Sequence, residues 1–216
     1  MDRIDFHAPR RCLLEPIQAI FDAAKNLDDA VDAHLAGDRT AADALILEAD
    51  RPEIYRWTDA IWGRHVAEIL RIRPVANAPP TLRKDDRPIP RAPVAETRRR
   101  VIDRDGYHCR FCGIPVIDRR VRSMLREHYP IALRWGRTNN QQHAAFQCMW
   151  LQYDHVLPNG RGGDSSADNI VVTCAPCNFG RMERTLEEVG VLDPRSRPVI
   201  RSAWDGLERI RRQKKK

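Results

Sequence analysis

The chain reads as an α+β protein. A helical N-terminal domain is joined by a proline-rich linker to a smaller unit of two strands, cysteine knuckles and a helix. Three observations predict this. Apolar residues recur at steps of three and four over 13–35. Six prolines fall within 73–93. Two Cys-x-x-Cys pairs, Cys109-Arg-Phe-Cys112 and Cys174-Ala-Pro-Cys177, bracket β-branched runs and a glycine-rich stretch.

The elements follow in order. Leu13, Ile17, Ile20, Ala24, Leu27, Val31 and Leu35 form one helical stripe, with Pro16 near its start and Gly37 as its stop. A short helix fits 41–49, with Thr40 as N-cap. Asp50-Arg-Pro-Glu53 resembles a capping box for a third helix, whose face carries Ile54, Trp57, Ile61, His65 or Val66, and Ile69. These pieces make a helical accessory domain over 1–72. His34 and His65 read as ordinary face or core histidines. Residues 73–93 form a partly extended linker, because proline breaks helices and ladders. Arg83, Lys84, Arg87 and Arg91 make it a solvated linker or a strap along a phosphate backbone. Residues 191–216 form a basic extension: Arg209 to Lys216 hold six basic groups and no acid, on a helix begun near Trp204.

Hydrophobic residues are 42% of the chain, enough for a core and too many for a disordered chain. No apolar run approaches a membrane span, and no apolar leader follows Met1. The chain therefore reads as cytoplasmic, with no membrane partner. The net charge of +7 is uneven. Residues 1–72 hold 9 Lys+Arg and 14 Asp+Glu, a balance of −5, and residues 73–216 hold 28 and 16, a balance of +12. Polyanion binding is expected of the second part. The acidic first part is a candidate for self-association or for a protein partner.

Two residues between cysteines let both thiolates reach one ion, and two such pairs complete a four-cysteine zinc site. Here 61 residues separate the pairs, more than in a compact zinc ribbon. A redox Cys-x-x-Cys is the alternative. Cys12 and Cys148 fit no pair and read as buried hydrophobes. Strands are expected around 149–156 and 170–173, joined by Asn159-Gly-Arg161-Gly-Gly163. After Cys177, a helix begins with Asn178 and carries Arg181.

Arg98-Arg-Arg-Val-Ile-Asp-Arg-Asp-Gly-Tyr-His-Cys109-Arg-Phe-Cys112-Gly113, Asp154-His155-x-x-Pro158, Arg161-Gly-Gly163, Asn169 and Cys174-x-x-Cys177-Asn178-x-x-Arg181 resemble, in this order, the HNH nucleases. The resemblance covers about 94–188 and implies a nuclease domain over 94–190, with an insertion at about 117–147. It implies a zinc-stapled ββα-metal finger and a metal-dependent endonuclease acting on DNA, leaving 5′-phosphate and 3′-hydroxyl ends. It assigns His155 as general base, Asp154 and Asn178 as ligands of a catalytic Mg2+ or Mn2+, and Asn169 as the residue orienting the loop and His155. The residue types suit these roles: imidazole accepts protons near neutrality, and carboxylate and amide oxygens suit hard cations. Arg181 is expected at a phosphate near the helix start. Two departures stand out: Asn178 where histidine is usual, and Arg181 where lysine is usual. An RNA-cutting effector and a non-catalytic zinc module remain as alternatives.

Within the insertion, Arg119 to Arg126 reads as a basic helix, followed by Leu133-Arg134-Trp135 and the polar run Asn139 to His143. It is either a DNA contact or a solvated decoration held down by Trp135. His108, His128 and His143 receive no role.

Overall fold

A computed structural model of the chain describes residues 8–62 and 69–212. His65 and Val66 of the third helix face lie outside them. Helices dominate, with a single two-stranded sheet among the described residues.

Helix α1 spans Gln18–Ala36, later than the apolar stripe suggests, because Ile17 is extended (φ −93°, ψ 152°) just after Pro16. Leu13 is nevertheless buried. Gly37 ends the helix at φ 89°, where a side chain would be strained, and donates to the His34 carbonyl. Helix α2 spans Arg39–Glu48, and its cap is Asp38, not Thr40: the Asp38 carboxylate accepts from the Ala41 N–H at 2.9 Å. Helix α3, Pro52–Trp62, begins on its proline. The Asp50 carboxylate is directed elsewhere: it accepts from the Ala144 N–H and binds Arg134. Ile20, Leu27, Val31, Ile46, Ile54 and Ile61 are fully buried where these helices meet the rest of the chain. Each such side chain is worth roughly 1.5–3 kcal/mol relative to exposure.

The packing crosses residue 72. Helix α3 rests on α6 (Ala144–Cys148) and on α7 (Ala175–Arg181). A Cβ at Gly180 would lie 2.4 Å from Ile61 Cγ2 and 2.9 Å from the Ile61 carbonyl oxygen, so only glycine lets α7 sit this close. His143, buried at the start of α6, contacts the Ile46 carbonyl through Nε2 at 2.8 Å. His34 meets the Tyr129 hydroxyl at 2.8 Å and is a core histidine, as expected.

The proline-rich segment is largely without regular structure, with a turn at Ala76–Asn77 and a 3-10 turn at Lys84–Asp86. It is tied to the fold at several points, while Arg83, Lys84 and Arg91 stay exposed. The Leu82 N–H donates to Gly160, Asn159 donates to the Pro88 carbonyl, Arg161 donates to the Pro79 carbonyl, and Arg87 pairs with Glu183. It is therefore laced to the glycine-rich loop.

Helix α4 (Ala95–Asp105) packs on strand β2 (Ile170–Cys174), and α5 (Arg119–His128) is the basic helix of the insertion. Strand β1 (Leu151–His155) pairs antiparallel with β2, from Leu151 opposite Cys174 to His155 opposite Ile170. The described part of the basic extension, up to Arg212, is tied to the fold, and Lys214 to Lys216 lie outside the described residues. Its helix, α8, spans Arg209–Arg212 rather than starting near Trp204. Arg209 binds Asp28, Asp32 and Asp205, and Arg211 binds Glu208, so these two charges are already matched within the fold. No helix of the described residues is long and apolar enough to cross a membrane.

Candidate functional site

The first knuckle is a tight turn. The Cys109 N–H donates to the Ile114 carbonyl and the Gly113 N–H to the Cys109 carbonyl, both at 2.9 Å, with Gly113 at φ 84°. The second pair sits where β2 ends and α7 begins, so Cys174 caps the helix that holds Cys177 in its first turn. All four cysteines are buried and their sulfurs lie within 4.8 Å of one another. A tetrahedron of thiolates around zinc has S–S edges of about 3.8 Å, from a Zn–S bond of about 2.3 Å. Cys112 and Cys174 are 3.7 Å apart, while a disulfide needs about 2.05 Å. The donor set fits a closed structural zinc site. Arg197 braces this knuckle by donating to the Phe111 and Arg110 carbonyls, and Arg110 donates back to Pro194 and Arg197. Cys12 and Cys148 lie outside the cluster, and burial pushes both thiols upward.

On the far side of α7, a cleft of about 400 Å³ is lined by Asp154, His155 and Asn178, with Arg91, Phe179 and Met182 around it. Neighbouring strand residues point to opposite faces. Asp154 and His155 share the cleft because β1 ends at His155 and the chain turns at Pro158.

His155 Nε2 lies 3.0 Å from the Ser165 hydroxyl. That hydroxyl is within donating reach of the Pro90 and Arg91 carbonyls at 2.7 and 3.0 Å. With its proton given to one of these carbonyls, Ser165 accepts from Nε2–H, and Nδ1 is left bare as the basic atom. Burial, then Arg181 and Arg91, push the imidazole down to about 4, so it is neutral at pH 7.

Asn169 bridges the loop that follows His155. Its amide oxygen accepts from the Leu157 N–H at 2.9 Å, and its amide nitrogen donates to Leu157 and Asp164 carbonyls at 3.0 and 2.7 Å. Gly163 is required beside it, since a Cβ there would lie 1.8 Å from the Leu157 oxygen.

Two expectations change. Arg181 is the last residue of α7, not near its start, and its side chain is 2% exposed. Its guanidinium binds Asp154 Oδ2 at 2.8 Å and donates to the His155, Val156 and Arg184 carbonyls. It is a buried brace and cannot reach a phosphate in the cleft. Asn178 is the fourth residue of α7, with its amide nitrogen 3.5 Å from Gln152 Oε1. Asp154 is buried, which raises its carboxyl, and Arg181 only partly offsets this. Arg181 engages Oδ2, leaving Oδ1 outside that pair. Asp154 and Asn178 thus line the same cleft.

Sequence reasoning missed Ser165 and the apolar wall of Phe179 and Met182. Ser165 lies ten residues from His155, and only the folded loop brings them together. No family model, curated protein or solved structure matches the chain.

Proposed function

We propose that the protein is a metal-dependent endonuclease that hydrolyses phosphodiester bonds of DNA, as HNH nucleases do. The observation that carries this reading is the neutral His155, tied at Nε2 by Ser165 and facing the same cleft as Asp154 and Asn178. His155 Nδ1 takes the proton of the attacking water. Ser165 holds the ring and fixes its tautomer. Asn169 fixes the loop that carries Ser165 and follows His155. Asp154 and Asn178 would hold the divalent cation, which when bound polarises the phosphate and stabilises the leaving 3′ oxygen. Cys109, Cys112, Cys174 and Cys177 would hold zinc and keep α7 on the sheet.

Supercoiled plasmid, linear DNA and RNA, each incubated with Mg2+, Mn2+ or EDTA, test the reading beside His155→Ala. The expected result is DNA cleavage that needs the added cation and is lost in His155→Ala. Cleavage that persists in His155→Ala removes the assignment, and cleavage of RNA alone replaces the substrate.

A further inference from the structure

Helix α5 carries an arginine that is charged, partly buried and unmatched. Arg122 lies flat over Trp135, with Cζ 3.7 Å from the ring centroid, and reaches Trp150 at 5.2 Å. Its Nη1 is buried and has no hydrogen-bond partner. Burial, then Arg119 and Arg126, lower its pKa to about 10. By contrast, the buried Arg181 is matched by Asp154 and Arg161 by Glu188. Arg122, Ser123, Arg126, Glu127, Pro130 and Trp135 line a pocket of about 410 Å³. Two guanidinium groups and a hydroxyl stand there against the single Glu127 carboxylate, a net positive lining that suits an oxyanion such as a phosphate.

This pocket connects to the cleft through aromatic rings. The Trp150 ring is 6.0 Å from Phe179, and Phe179 is 5.3 Å from Trp62. Phe179 lines the cleft and is 42% exposed, and Trp150 and Trp135 are half-buried. Alternating ring faces and guanidinium groups are the chemistry of single-strand binding, because bases stack on rings while cations follow the backbone. A duplex keeps its bases stacked on one another and gains little from such a row.

We propose that a single strand of DNA runs from the His155 cleft over Phe179 and Trp150 and sets a backbone phosphate against Arg122 and Arg126. This rests on the nuclease reading for the strand's identity, but binding is measurable without cleavage. The insertion is thus a strand-contacting element rather than a decoration.

The test is fluorescence anisotropy in EDTA with a labelled oligothymidylate of about 20 nucleotides and a duplex of equal length. Arg126 and Phe179 are exposed enough that Arg126→Glu and Phe179→Ala should fold, which thermal melting checks. Phe179→Ala is expected to weaken single-strand binding roughly tenfold and duplex binding much less. Arg126→Glu is expected to weaken it similarly and to flatten the dependence of log affinity on log salt by about 0.7. Unchanged single-strand affinity in both variants overturns the proposal, as does an equal loss on the duplex. If these losses appear but the plasmid is never cut, the track stands and the nuclease reading falls. If the plasmid is cut through His155 but the losses are absent, the track alone falls.

Discussion

The Asp154 carboxylate and the Arg181 guanidinium meet at 2.8 Å inside the protein, joining the end of β1 to the end of α7. The same guanidinium holds the His155 carbonyl. Arg181→Ala leaves a carboxylate buried and unpaired, and is expected to cost about 3–5 kcal/mol. Arg181→Lys should recover little, because a point charge cannot serve Asp154 and the carbonyls of His155 and Arg184 together. Urea denaturation of both variants checks this. Wild-type stability in Arg181→Ala would show that the pair does not join strand to helix.

The purified protein should carry about one zinc per chain. Cys174→Ser should abolish zinc binding and lower the melting temperature sharply, because in such sites much of the binding free energy is folding free energy. Metal analysis and calorimetry read both. Absence of zinc from a normally melting wild type would refute the four-thiolate site.

Asn169→Ala removes one acceptor and two donors from the loop at once. A loss of about 1–3 kcal/mol is expected for the groups left unpaired, together with a fall in cleavage. Asn169→Asp keeps the acceptor for the Leu157 N–H but places an oxygen against the Leu157 and Asp164 carbonyls, so it should not rescue. Denaturation midpoints of the two variants decide this.

In the proposed mechanism Ser165 is a positioning residue. Ser165→Ala frees the His155 ring and should lower kcat of plasmid cleavage by about 10–100-fold, with zinc content and melting unchanged. Ser165→Thr, which keeps the hydroxyl, should recover part of the rate. Equal rates for wild type and Ser165→Ala would remove the tether from the mechanism.

Burial holds the His143 imidazole below its ordinary pKa, and its Nε2 donates to the Ile46 carbonyl while Nδ1 accepts from the Phe146 N–H. The folded state refuses a proton that the unfolded chain accepts below about pH 6.5. The associated stability is present above that pH and is lost as pH falls. His34 and His155 shift in the same direction. Stability measured from pH 7.5 to 5 should therefore fall, and more shallowly in His143→Gln, which keeps an N–H for Ile46 and does not titrate.

Local chemistry was legible in the sequence. The strand, loop, strand, knuckle and helix unit follows from β-branched runs and cysteine spacing, and α5 follows from its basic pattern. Asn169 is named only through the HNH resemblance, and its three loop hydrogen bonds appear only in the fold. Arg181 was misplaced because a helix only seven residues long puts its fourth and seventh positions past the N-terminus. The cap of α2 falls on Asp38 rather than Thr40, two residues earlier, directly after Gly37 ends α1. Contacts between distant segments carried no signal. The pairing of Arg209 with Asp28 joins positions 181 residues apart, and the lacing of Asn159 to Pro88 depends on how the loop folds.

The seat of Gly180 against Ile61 bears on how the gene can be cut. A product begun at residue 73 would bare the surface of α7 on which α3 lies, along with Phe146 and its neighbours in α6. It should come out of solution during expression. Two halves divided at that point and made in the same cell should instead reassemble, each covering the surface the other exposes.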